Sequence, residues 1–228
     1  MKITFLGHAG LLVEGAGKRI VIDPFLSGNP VAVMKPEELK VDAVVLTHGH
    51  SDHSGDAAAV ALANQCPIVA VVELAGFLSA TGADTVGMNT GGTYRIEDGI
   101  SVKFTQAFHS SSFEVDGVAY YAGQPQGVIL TMGDRALYHM GDTALFSDIQ
   151  LIGQMNKIDI AAVPIGDHFT MGPKEALLAA KWTGAKHIIP IHFNTFPPIR
   201  QDGEQFIKQL EAQQQQGHEL KPGEFVEI

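Results

Sequence analysis

Within six residues, His48-Gly49-His50-Ser51-Asp52-His53, the chain carries three imidazoles and a carboxylate, directly after the apolar run Val41-Asp42-Ala43-Val44-Val45-Leu46-Thr47. Packing at the end of a buried strand gives no reason for so many ligating groups, so the stretch reads as a metal site. His48 and His50 stand two apart; in extended backbone they project to the same side, where one ion can take both. Asp52 and His53 fall where the chain turns into the alanine-rich run from Gly55 to Asn64, so they point elsewhere and suit a second ion a few ångströms away. The chemistry expected of such a pair is two-metal hydrolysis.

A hexapeptide offers at most four ligands, so further His and Asp are expected at later strand ends. His109 follows the alternating segment Ser101 to Phe108, Asp142 follows Tyr138-His139-Met140-Gly141, and His192 follows Ile188-Ile189-Pro190-Ile191. Each lies just past a predicted strand, where loops converge. His8, in the turn Gly7-His8-Ala9-Gly10, faces the same end of the first sheet. It reads as a residue supporting a ligand, as one facing substrate, or as a satisfied turn histidine. His168 is a candidate to approach the substrate and protonate a leaving group. Its neighbour Asp167 either braces a ligating imidazole or belongs to a helix-entry loop, and Asp23-Pro24 shapes a turn, with a hydrogen bond to a ligand as its functional option. Ser110 and Ser112 read as backbone caps, because no Ser-His-Asp spacing stands out. His139, His187 and His218 read as structural or surface residues.

The elements that position these groups are legible in the pattern of the chain. Residues 2 to 22 read as a β-meander with turns at Gly15 and Gly17, and 26 to 40 as a loop broken by Gly and Pro. The strand 42–47, a helix from Ala57, a buried strand Pro67 to Val71 and a helix Glu73 to Thr81 closed by Gly82 follow. Strands joined by Gly-containing turns return from Thr85 to Leu137, implying a second meander. The last third alternates: an amphipathic stretch Leu145 to Met155, a strand Asp159 to Pro164, and a helix Pro173 to Thr183 with Pro in its first turn. A strand His187 to Ile191, a helix Glu204 to Gln215 and an edge strand Glu224 to Ile228 complete it. Gln213 to Gln216 are expected to extend a solvated helix face. Two halves of this kind predict two sheets packed face to face with helices outside.

Bulk composition sets bounds. The 228 residues, 45% of them hydrophobic, suit a single domain over 1–228 with an ample core. The apolar runs are too short to span a bilayer and the N-terminus enters a strand directly, so a cytoplasmic protein without membrane contact is expected. The formal charge of −10 argues against nucleic acid as a bulk partner and leaves a small-molecule substrate, with a homo-oligomer also compatible. The single cysteine, Cys66, excludes an intramolecular disulfide and reads as an inert core thiol. No Gly-rich segment has the spacing of a nucleotide-binding loop.

The ordered set, His-x-His-x-Asp-His at 48 to 53 and then a lone His, a lone Asp and a final His, resembles the metallo-β-lactamase superfamily over essentially the whole chain. The strings Gly141-Asp142-Thr143-Ala144-Leu145-Phe146, Pro164 to Pro173 and Pro190 to Pro197 look like a branch of small metal-dependent hydrolases. That branch lies near the ascorbate-phosphate lactonase and N-acyl-phosphatidylethanolamine phospholipase D groups. The resemblance implies a four-layer αββα sandwich, two mixed β-sheets flanked by helices. It also implies that His48, His50 and His109 hold a first metal, that Asp52, His53 and His192 hold a second, and that Asp142 bridges both. Imidazole and carboxylate ligands without thiolate favour zinc or manganese, with iron and nickel also compatible. A hydroxide activated by the two metals would attack a small ester, lactone or phosphodiester, with Asp52 orienting it and His168 serving the leaving group. The alternatives are a non-catalytic metal-binding module and a di-iron redox protein on the same fold. The di-iron relatives tend to carry Glu where this chain has His50.

Overall fold

The computed structural model describes residues 1–228. The chain begins with the antiparallel strands β1 (Lys2–Gly7), β2 (Gly10–Gly15) and β3 (Lys18–Ile22). A long loop leads to β4 (Ala43–Val45), the short helix α1 (Ser51–Ser54), α2 (Ala57–Asn64), β5 (Ile68–Val71), α3 (Val72–Ser79) and β6 (Thr85–Met88). Next come β7 (Thr93–Glu97), β8 (Ile100–Gln106), β9 (Ser112–Val115), β10 (Val118–Tyr121), β11 (Gln126–Met132) and β12 (Arg135–His139). The last part comprises α4 (Ile149–Met155), β13 (Ile160–Pro164), α5 (Pro173–Thr183), β14 (His187–Ile191), α6 (Gly203–Ala212), β15 (Gln216–Gly217) and β16 (Phe225–Glu227).

Two seven-stranded mixed sheets result, ordered β16-β1-β2-β3-β4-β5-β6 and β15-β14-β13-β12-β11-β8-β7. Their strands alternate at period two between two apolar environments. Leu11, Val13, Ile20, Ile22 and Val45 face the other sheet and meet Val128, Leu130, Ile189 and Ile191. Leu12, Val21 and Val44 face outward onto α2 and α3, while Ile129, Val163 and Ile188 face outward onto α4, α5 and α6. Helix, sheet, sheet and helix are thus four layers, the predicted αββα sandwich. No helix is long and apolar enough to cross a membrane.

Most predicted elements appear within a residue or two, with three departures. The second meander is interrupted: β8 pairs with β11, and β9 and β10 leave the sheet as a separate hairpin. Helix α4 starts at Ile149 rather than near Leu145, because the Ala144 amide donates to the Phe108 carbonyl and holds that segment against the His109 loop. The glutamines do not extend α6. Gln215 turns inward, and its Nε2 donates to the carbonyls of Ala180 and Ala185, closing the end of α5.

Cys66 is buried, and burial pushes its thiol up to about 11. A thiol reagent at pH 8 is therefore expected to leave the native protein unlabelled and to modify one thiol per chain after unfolding in guanidinium. Rapid labelling of native protein would contradict this burial.

Candidate metal centre

The site residues occupy the loops that leave the C-terminal ends of β1, β3, β4, β8, β12 and β14, so the two sheets deliver them to one edge of the sandwich. Three of them, His8, Asp23 and His192, adopt positive φ values of 58°, 49° and 55°. Left-handed backbone is uncommon outside glycine, and its recurrence here marks chain bent to aim side chains inward.

Two groups of donors converge, and a third set, His48, His53 and Asp142, overlaps both. The ligating atoms of His48, His50 and His109 lie within 4.8 Å of one another, and so do those of His8, Asp52, His53 and His192. Within the first group His48 Nε2 is 3.0 Å from His50 Nδ1. Asp142 stands between the groups: its Oδ2 is 3.6 Å from His109 Nε2 and 2.9 Å from His192 Nε2, and its Oδ1 is 3.4 Å from His53 Nε2. His53 Nε2 and Asp142 Oδ1 are buried and have no hydrogen-bond partner, even though they face each other. Buried polar atoms are almost always satisfied, and a cation among the nitrogen and oxygen donors would satisfy both of these at once. The residues present therefore fit a metal ion.

The electrostatics follow from this packing. Burial pushes the imidazoles of His48, His50 and His109 below their ordinary value, which favours the neutral form that ligates. Burial also opposes charge on His53, but the carboxylates of Asp142 and Asp23 outweigh it and hold its pKa well above the usual imidazole range. The same contest at Asp142 is settled by His192 and His53, which keep it ionised against burial. His8 is pushed down to about 4, first by burial.

Around the ligating atoms stands a set of groups that fix each ring. The Asp23 carboxylate, fully buried, accepts a hydrogen bond from His53 Nδ1 at 2.8 Å and from the Thr47 amide and hydroxyl at 2.8 and 2.6 Å. Thr47 Oγ1 also lies 3.0 Å from His48 Nδ1. His8 joins Asp52 Oδ2 through Nε2 at 3.1 Å and Thr195 Oγ1 through Nδ1 at 3.0 Å, so it is a member of the cluster rather than a free turn residue. Thr47 and Thr195 escaped the sequence reading; their only signal was a hydroxyl one residue before His48 and another three residues after His192. Ser111, between the two serines read as caps, accepts from the Gly49 amide at 3.1 Å. His139 is buried and structural, its Nε2 donating to the Ala9 carbonyl, and His187 and His218 pair with each other.

Two candidates stand apart. Asp167 and His168 are exposed on the loop after β13, and no hydrogen bond or ion pair joins either side chain to the converging groups. The bracing of an imidazole considered for Asp167 is instead done by Asp23, because the Asp167 loop folds on itself, with its amide donating to the Met171 carbonyl. Asp23→Asn is expected to keep the fold while weakening metal affinity about 10–100-fold, since the amide is a poorer acceptor for His53 Nδ1–H. Titration with a competing chelator measures this, and unchanged affinity would show that Asp23 only shapes its turn.

Similarity to known proteins agrees with the fold. The chain belongs to the metallo-β-lactamase superfamily: a family model for the β-lactamase superfamily domain matches residues 2–192. A curated relative from Bacillus cereus, named UPF0173 metal-dependent hydrolase, is 49% identical over 230 residues and covers 100% of both chains. Another from Bacillus thuringiensis is 50% identical over the same span and bears the same family name. Among solved structures, the metallo hydrolase Igni18 of Ignicoccus hospitalis superposes with a TM-score of 0.90 at 36% identity, covering 99% of this chain and 97% of that one. The isothiocyanate hydrolase from Delia radicum gut bacteria shares the fold, with a TM-score of 0.77 at 21% identity over 100% of this chain and 99% of that one. The protein is a metal-dependent hydrolase.

Proposed function

We propose that this chain is a single hydrolase domain with a dinuclear centre, zinc or manganese, acting on a small ester, lactone or phosphodiester. The observation that carries the reading is the position of Asp142, one oxygen of which approaches both His109 of the first donor group and His192 of the second. His48, His50 and His109 would hold one ion, and Asp52, His53 and His192 the other, with Asp142 shared. When bound, the ions supply Lewis acidity and hydroxide at neutral pH.

The chain's own residues do the rest. Asp52 is kept ionised by the His8 hydrogen bond and by His53, against burial that would favour its protonated form. Its side chain is 32% exposed, which lets it accept a hydrogen bond from a water and orient it. His8, fixed from behind by Thr195, sets the angle of that carboxylate. His168, on the exposed loop after β13, would protonate the leaving group.

Metal analysis of the isolated protein together with turnover of bis-p-nitrophenyl phosphate and a panel of lactones tests the reading. Two ions per chain, with activity lost to chelator and restored by zinc or manganese, are expected. Bound iron with oxygen consumption and no hydrolysis would overturn it. His168→Ala should retain both metals, because the ring touches none of the ligating atoms, while turnover falls about 100-fold, within the range for a general acid. Loss of metal in that variant would move His168 into the centre itself.

A further inference from the structure

A cavity of about 540 Å³ shares His50 and Asp52 with the donor cluster and runs from there between α1, α3 and the β9–β10 hairpin. Its apolar lining is Phe113, Leu78, Ala58 and Ala119, beside the hydroxyls of Ser51, Ser54, Thr81 and Ser112. Phe113 is held in place by Phe77, stacked on it with ring centroids 5.5 Å apart, and Tyr120 packs against Phe77 at 5.9 Å. No lysine or arginine lines the cavity, and Glu114 supplies a carboxylate to its wall in addition to Asp52. Lys221 lines a different cavity, bounded by His8 and Thr195, and shares it with Glu219.

The two ends of the cavity therefore differ in chemistry. Beside Asp52 and His50, a substrate's reacting group meets the donors of the metal centre. Away from them, an arm of the substrate meets aromatic and aliphatic surface, hydroxyls and a carboxylate, with no lysine or arginine to neutralise an anionic substituent. A phosphate or carboxylate there would find hydroxyls but no cation in return for its lost hydration, and would face Glu114. An aromatic or branched aliphatic arm would bury its surface against Phe113 and Ala119.

We infer that this cavity takes the uncharged, apolar arm of the substrate, so that the enzyme selects esters or lactones with an aromatic or aliphatic arm and rejects those with an anionic one. The inference rests on the hydrolase reading above and narrows it, turning away from phosphorylated lactones.

Three ethyl esters with the same leaving group test it on the metal-loaded enzyme, with acid release followed by pH-stat: acetate, 3-phenylpropionate and the free-acid monoester of glutarate. In kcat/KM the phenylpropionate is expected to exceed the acetate by about tenfold or more, the discrimination a well-filled apolar pocket gives, and the glutarate monoester to fall below the acetate. Phe113→Ala should lower the phenylpropionate-to-acetate ratio about tenfold, and Glu114→Lys should raise the glutarate-to-acetate ratio by a similar factor. Glu114 is exposed, so its replacement does not threaten folding. Equal rates for the three esters, or ratios that neither variant moves, would overturn the inference.

A second readout does not depend on turnover. Addition of 3-phenylpropanol should shift the methyl resonances of Ala58 and Ala119 in the unmodified chain and not in Phe113→Ala. Those shifts with no hydrolysis of any ester, lactone or phosphodiester would keep the cavity assignment and overturn the reaction. Hydrolysis without shifts or arm preference would do the reverse.

Discussion

Replacing Asp142 by alanine is expected to lower bound metal, from the two ions per chain proposed above to one or none, and to cut hydrolysis by about 10³-fold or more. The metal content follows from geometry: Asp142 is the one residue whose carboxylate lies within 4 Å of His53, His109 and His192, drawn from both donor groups. The rate follows from magnitude, because metal activation is worth several kcal/mol and each ~1.4 kcal/mol is a factor of ten. The variant also leaves His53 and His192 buried without the anion that faces them, so His53 loses one of the two carboxylates that favour its charge. Inductively coupled plasma analysis beside a rate assay checks both parts. Retention of two ions would remove Asp142 from its shared role, and Asp142→Asn, of nearly the same shape, separates loss of charge from a simple cavity.

The second large effect is expected at Gly49, between His48 and His50. A methyl group there would sit 2.8 Å from the Ala122 side chain and 2.8 Å from the Ser112 carbonyl oxygen, both at the base of the β9–β10 hairpin. Neither neighbour is the free end of a flexible side chain, so relief requires backbone movement. The Gly49 amide and carbonyl are also engaged, the first with Ser111 Oγ and the second with Ser54 Oγ. Overpacking of this kind costs about 1–3 kcal/mol, or roughly 2–12 °C in melting temperature for a chain of this size. Because the hairpin and the His48-to-His50 segment must part, the ligating rings shift, and displacement by ~1 Å costs about 100-fold in rate. Calorimetry and a rate assay on Gly49→Ala measure these effects, and wild-type values in both would show that the hairpin yields freely.

The glycine's necessity could not be read from the sequence. In the string it is merely a spacer that sets two histidines two apart. What excludes a side chain is a hairpin whose residues lie more than sixty positions later and which leaves its sheet to cover the hexapeptide. The departure of β9 and β10 was equally hidden, because their alternating residues satisfy the same pattern as strands that remain in the sheet. The glutamine run misled for a related reason. Its composition matches a solvated helix, and only the exposed carbonyls at the end of α5 give Gln215 a reason to turn inward.

Ligand type was more legible than ligand support. His48, His50, Asp52 and His53 stand out because imidazoles and carboxylate crowd into one short segment after an apolar strand. His109, Asp142 and His192 gain meaning from their order at later strand ends. The groups that orient them are ordinary residues in ordinary places. Asp23 sits before a proline, where it explains itself as a turn former, and Thr47 and Thr195 resemble any threonine at a strand end. His8 could be read three ways until its partners were known, and those lie 44 and 187 residues away.

By itself the sequence determined the period-two strands buried on both faces, the helices between them and the chemical types of the donors, because these depend on local spacing and side-chain chemistry. Tertiary structure alone decided which carboxylate braces which imidazole, that His8 joins Asp52, and that a cavity without lysine or arginine adjoins the centre. Those are distances between groups remote in the chain, and they are set only when the two sheets pack and bring their strand ends to a common edge.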